Sequence, residues 1–182
     1  MAKLRDIMVR DVVTVSPDAT LREVAELLAE HGISGAPVVS GGRVLGVISA
    51  TDIIEFEASN EPPDEEEEAE EDEVVWEADE DYQAFDENPP AAFFTEIWST
   101  AGDDILERFA ERRAAGDPLN QRVAADVMTR NIRSLPPDTE LAEAADYLLR
   151  TGVHRILVME GDRLEGLVTT TDFVRAIAER RV

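Results

Sequence analysis

Two short polar runs carry the residue types that hold small anionic ligands. They are Ser49-Ala50-Thr51-Asp52 and Thr169-Thr170-Thr171-Asp172. Each places hydroxyls two positions apart and closes on an aspartate. Each follows an apolar stretch that reads as a strand, and each opens a helix. Unpaired N–H groups at a helix start attract anions, and hydroxyls there donate to phosphate oxygens. The aspartate accepts hydrogen bonds and suits the paired hydroxyls of a ribose. Ser, Thr and Asp are also the preferred helix-capping types. Taken alone, the runs read as plain caps as readily as a binding site.

The two runs stand 120 positions apart because the chain repeats itself. Residues 6–54 align with residues 126–174 without a gap, with 16 identities in 49 positions. Asp6, Met8, Arg10, Pro17, Leu21, Gly32, Gly46, Thr51 and Asp52 are among the residues that meet themselves 120 positions later. Such self-similarity marks a duplicated structural unit. A duplicated polar group in turn suggests a duplicated binding site.

Each unit reads as β-α-β-β-α. In the first, Val12-Val13-Thr14-Val15 predicts a short extended piece and Pro17-Asp18-Ala19 a turn. Thr20 and Glu23 form a capping box. Leu21, Val24, Ala25 and Leu28 follow at helical spacing, and Gly32 stands where a left-handed helix stop is wanted. Ala36-Pro37-Val38-Val39 and Val44-Leu45-Gly46-Val47-Ile48 predict strands joined by a tight turn at Gly41-Gly42. The second unit repeats this through Leu141, Ala144, Ala145 and Leu148, then Gly152, then strands around Gly161-Asp162. Its capping signal is weaker, because Glu140 replaces Thr20. Its last helix is predicted from about Thr171 into Arg180-Arg181. A unit of about 50 residues cannot bury both faces of its sheet alone. The fold class is therefore α/β, two repeats packed about a pseudo-twofold axis, with an acidic and partly helical insertion. The divisions fall at residues 1–56, 57–121 and 122–182.

The insertion accounts for most of the charge. The chain carries 41 acidic and 17 basic residues, a net of −24. Residues 55–87 hold 18 of the acids and no base. That balance argues against binding nucleic-acid backbones, which need Lys and Arg, and against anionic membranes. No stretch approaches the apolar length of a membrane span, and the start does not read as a secretory signal. A cytoplasmic protein is expected. The run over 60–73 reads as self-repelling loop. Beyond it, Trp76, Tyr82, Phe85, Phe93, Phe94 and Trp98 form a dense aromatic group that should dock on the protein body or on a partner. Ile105, Leu106, Phe109 and Ala110 form a helical stripe.

Other candidates are thin. There is no cysteine, which excludes disulfides and thiolate chemistry. His31 and His154 are the only histidines, and neither has a carboxylate at a metal-ligand spacing. His31 reads as a helix C-terminal residue facing the dipole. Asp79 to Gln83 faintly follows a calcium loop, but Ala84 replaces the needed Gly and Pro90 the closing Glu. No metal site and no catalytic arrangement is expected.

Both repeats resemble cystathionine-β-synthase-type (CBS) domains, over Met8 to Ile54 and Met128 to Ala176. The resemblance rests on the Met-x-Arg lead, the Pro-Asp-x-x-Leu helix start, Pro37-Val38-Val39 and the Gly-apolar-apolar-Ser/Thr-x-x-Asp ending. It implies a paired regulatory module for an adenosyl ligand such as AMP, ADP, ATP or S-adenosylmethionine, with Mg²⁺ accompanying ATP. It further implies that Asp52 and Asp172 hold ribose hydroxyls, and that Ser49, Thr51, Thr169 and Thr171 reach ribose or phosphate. Thr14 and Ser134, with Ala36 and Pro37, would line the adenine pocket, although Leu157 stands where the first copy has Pro37. His154-Arg155 resembles the phosphate-contacting His-Arg pair of the AMP-activated protein kinase γ subunit. An arginine fork matches phosphate oxygens, and the first copy has only Ser34-Gly35 there. A surface salt bridge is the other reading of Arg155. The leading expectation is a regulatory nucleotide-binding module, not an enzyme, that forms a homodimer and acts on a protein target. The competing expectation is an interaction protein whose acidic-aromatic insertion is the working surface.

Overall fold

The computed structural model describes residues 2–60, 91–95 and 117–180. The expectations for the acidic run, Trp76, Tyr82, Phe85, Trp98, the Asp79–Gln83 loop and the Ile105–Ala110 stripe lie outside the described residues.

The first repeat contains α1 (Leu4–Ile7), α2 (Leu21–His31), β1 (Gly35–Ser40), β2 (Arg43–Ser49) and α3 (Ala50–Asn60). The insertion contributes α4 (Ala92–Thr95) and a one-turn 3₁₀ helix, Pro118–Asn120. The second repeat contains α5 (Ala124–Val127), β3 (Ser134–Leu135), α6 (Leu141–Thr151), β4 (Arg155–Glu160), β5 (Arg163–Thr169) and α7 (Thr170–Ala178). Sequence signals account for most of these bounds. The Thr20 hydroxyl accepts from the Glu23 N–H, and the Glu23 carboxylate accepts from the Thr20 N–H at 2.7 Å, closing the capping box at the start of α2. Leu21, Val24, Ala25 and Leu28 form its fully buried stripe. Gly32 stops it in the left-handed region at φ 59°, where a side chain would cost about 1–2 kcal/mol. Glu140 gives α6 no side-chain cap, as the substitution predicts.

The strands form one sheet in the order β1-β2-β5-β4-β3, with β2 and β5 meeting antiparallel at Arg43 and Arg163. Two expectations need correction. Val12 to Val15 do not form a strand: only Val15 bridges to β1, opposite Val38, while Val12 and Val13 turn to line a cavity. The last helix ends at Ala178, and Arg180 adopts φ 55°, off the helical path; Arg181 lies outside the described residues.

The segment that leads into each repeat packs on the other repeat. Leu4 N–H donates to Thr139 O at 3.0 Å, and its counterpart Ala124 N–H donates to Ala19 O at 2.8 Å. Val9 and Leu167 exchange both backbone bonds at 2.9 Å, and Thr129 and Val47 do the same. This paired exchange is the pseudo-twofold symmetry written in hydrogen bonds. It also explains the glycine shared by both repeats. A Cβ at Gly46 would sit 2.7 Å from Thr129 O, and one at Gly166 would sit 2.7 Å from Val9 O.

Two apolar cores result. Leu21, Val24, Leu28, Val38, Ile48 and Ile53 fill the first. The second gathers Leu141, Leu148, Ile156, Leu157 and Val168 around Leu4, and it also takes in Phe93 and Phe94 from the insertion.

Candidate functional site

A cavity of about 410 Å³ lies between the repeats. Its apolar side is Val12, Val13, Ile33 and Pro37, all from the first repeat. Its polar side is Thr169, Thr170 and Thr171 at the β5–α7 junction, with His154 and Arg155 at the start of β4. The β4–β5 register sets Arg155 opposite Thr169, so the guanidinium and the hydroxyls share one end of the hairpin. Asp11 adds a carboxylate from the lead segment.

Asp172 stands behind the hydroxyls. It is 6% exposed, and its Oδ2 accepts from the Thr169 N–H at 2.8 Å and from the Thr169 hydroxyl at 2.7 Å. Its Oδ1 accepts from Arg175 at 3.1 Å. Asp52 repeats the cap, its Oδ2 accepting from the Ser49 N–H and hydroxyl, both at 2.7 Å. Both aspartates therefore do cap their helices, and the capping keeps one hydroxyl of each run pinned inward. Capping uses a single oxygen, so it is compatible with a ligand bond at the other. At Asp172 a ligand would compete with the half-exposed Arg175 side chain.

Arg155 is not a loose surface cation. It is half-buried, its Nη1 donates to the Ser34 hydroxyl of the first repeat at 3.0 Å, and its guanidinium lies 5.4 Å from the centroid of the Phe93 ring. His154 is held by backbone bonds on both sides: its N–H donates to Phe94 O at 2.8 Å and its carbonyl accepts from the Thr170 N–H at 2.9 Å.

The cavity brings together Pro37, His154, Arg155, Thr169 and Thr171 from the residues singled out in the sequence. Ser49, Thr51 and Asp52 occupy the equivalent β2–α3 junction of the first repeat. Ser134 lies in β3 beside Leu157. Thr14 is exposed, and Ala36 is fully buried in the core of the first repeat. None of these six, nor Asp172, lines the cavity. Two contributors were missed. Val9, Val12 and Val13 carry no polar signal and reach the cavity only through the exchange of lead segments. Phe93 belonged to an aromatic cluster expected to dock, but nothing local said where.

The family model for the CBS domain matches residues 4–59 and residues 123–179. The chain belongs to the CBS domain family. As a tandem CBS pair it is similar to protein MJ1225 of Methanocaldococcus jannaschii, 26% identical over 92% of this chain and 69% of MJ1225. A stretch of 53 residues is 51% identical to MJ1232 of the same organism, where the match covers 29% of this chain and only 18% of MJ1232. The matched regions thus span about two thirds of one of these relatives and under a fifth of the other. Among solved structures it superposes on CBSX2 in complex with AMP with a TM-score of 0.60, 19% identity and full coverage of both chains. It superposes on the CBS pair of MJ0100, in complex with 5′-methylthioadenosine and S-adenosylmethionine, with a TM-score of 0.58, 16% identity and coverage of 99% and 98%. CBSX2 is a protein of Arabidopsis thaliana. At these identities the likeness establishes the fold of the CBS pair. Among the described residues no helix is long and apolar enough to cross a membrane.

Proposed function

We propose that this CBS pair is a regulatory module that binds an adenosyl ligand in the cavity between its repeats. The observation that carries the reading is convergence. An apolar slot (Val12, Val13, Ile33, Pro37), three consecutive threonines and a positioned arginine line one space. The slot suits a purine ring. The threonine hydroxyls and Asp172 suit the ribose, and Arg155 suits a 5′ substituent bearing negative charge. The superposable CBSX2 and MJ0100 structures, solved with AMP and with 5′-methylthioadenosine and S-adenosylmethionine, support the ligand class. No step of bond making is assigned to these residues; binding biases the arrangement of the two repeats and so the surface offered to a target. The duplicated junction at Ser49, Thr51 and Asp52 is proposed as a second and weaker site, because Gly35 stands where Arg155 would.

The same reading includes a cytoplasmic homodimer. Leu149, Val174 and Ile177 are 84%, 66% and 63% exposed on α6 and α7, and a second copy of the chain would cover them.

Titration calorimetry of the full chain against AMP and 5′-methylthioadenosine tests the function. Saturable binding is expected, together with a melting temperature that rises with ligand concentration. Absence of heat and of thermal shift at millimolar concentrations of both compounds would sink it.

A further inference from the structure

The aromatic ring that the insertion places in the cavity stands where the two repeats are related. Phe93 lies against Arg155 on one side, with the guanidinium 5.4 Å from the ring centroid. On the other side its Cδ2 would be 2.9 Å from a Cβ built on Gly35. Gly35 and Arg155 are counterparts, 120 positions apart. A side chain that touches both members of a symmetry-related pair sits close to the pseudo-twofold axis. The cavity reaches that axis too, because Ser34 and Gly35 line it along with His154 and Arg155.

The ring is fixed in place. Phe93 is 1% exposed and Phe94 is fully buried. The two rings meet edge to face, with centroids 4.9 Å apart. The backbone beside them is tied to the second repeat through the His154 N–H to Phe94 O bond. Gly35 is needed for this seating, since any larger residue would collide with the ring and with Ile48 O at 2.7 Å.

From this we infer that Phe93 is a specificity-determining residue that limits the length of the ligand's 5′ substituent. The inference rests on the proposed adenosyl site. A ligand whose sugar sits at Thr169 to Thr171 directs its 5′ end toward Arg155, and beyond Arg155 the way is filled by the Phe93 ring. The ring also covers one face of the guanidinium, while Ser34 occupies Nη1. One phosphate can reach the cation there. A second and third phosphate would have to extend through the ring, into an apolar wall that gives a charged group no hydrogen bonds. The site therefore selects nucleoside monophosphates over triphosphates by blocking the longer ligand as well as by binding the shorter one. The glycine in the first repeat, which looked like the loss of a cation, is the space that lets the ring in.

Calorimetric titration of the full chain with AMP, ADP and ATP tests this, using the wild type and Phe93→Leu. Leucine keeps apolar volume in the core and removes the ring from the axis; a melting curve checks that the variant folds. The wild type is expected to bind AMP at least tenfold more tightly than ATP, with ADP between. Phe93→Leu is expected to narrow the AMP-to-ATP ratio at least threefold, through a gain for ATP. The inference is overturned if the wild type binds ATP within twofold of AMP, a result that needs no variant. It is also overturned if a folded Phe93→Leu protein keeps the wild-type ratio. If AMP binds and only the ratio fails to respond, this inference alone is lost. If no adenosine compound binds the wild type, the adenosyl site is lost with it.

Discussion

Arg22 of α2 and Asp117 at the end of the insertion form a buried ion pair, each residue 6% exposed. Asp117 also caps the following 3₁₀ turn by accepting from the Leu119 N–H at 2.9 Å. The pair moors the returning insertion to the first repeat. Removing Arg22 leaves the Asp117 carboxylate buried without this ion pair, which costs about 3–5 kcal/mol. Arg22→Met should lower the unfolding free energy by that much in urea titrations. The double variant Arg22→Met, Asp117→Leu should recover all but about 1 kcal/mol, the share of the lost cap.

Gly46 and Gly166 should tolerate no side chain, for a reason that lies in the opposite repeat. A methyl at either would press on a backbone carbonyl of the other repeat's lead segment. Each alanine variant should lose about 1–3 kcal/mol in thermal or chemical unfolding. Equal losses at the two positions would show that both exchanged segments are equally committed.

Asp172 and Asp52 should separate capping from binding. Each accepts two bonds from the residue that starts its helix, so each alanine variant should cost about 1 kcal/mol of stability. Only Asp172→Ala should abolish AMP binding to the cavity in calorimetry, because only its threonine run lines that space. Equal retention of AMP affinity by both variants would remove the ribose role from Asp172.

Arg155→Ala should weaken AMP about tenfold or more, the usual worth of a hydrogen bond to a charged group being about 1.5–3 kcal/mol. Affinity for 5′-methylthioadenosine, which has no phosphate, should stay within twofold. Parallel loss for both compounds would mean that Arg155 supports the pocket wall and does not read charge.

Charge placed on the exposed apolar face should keep the protein monomeric. Leu149→Asp or Ile177→Asp is expected to convert a dimer to a monomer in sedimentation velocity with no fall in melting temperature of the isolated chain. The counterparts in the first repeat are Ala29 and Glu57, so the matching change Ala29→Asp should have the smaller effect.

The repeat made much of this fold legible. Periodicity, capping residues and turn glycines are local signals, and they located α2, α6 and both hairpins to within a residue or two. What stayed hidden depends on contacts between distant segments. Val12 and Val13 have the composition of a strand, and only the cavity they face takes them out of the ladder. The end of α7 is hidden because Arg180 suits a helix C-terminus as well as it suits the turn it occupies. Arg155 stands out by its asymmetry with Gly35, but its contacts with Ser34 and Phe93 come from the first repeat and from the insertion. Phe93 was one aromatic among six until packing distinguished it.

The exchange of lead segments has a consequence for how the chain comes into being. Residues 2–9 leave the ribosome long before the strand that receives Val9, whose partner Leu167 lies in the second repeat. The first repeat likewise waits for Thr129 before the second edge of its own β2 is paired. Neither half can be finished early, and nearly every stabilising partnership between halves spans most of the chain. A domain so wired should fold late and all at once, at the slow end of the rates seen for chains of high contact order.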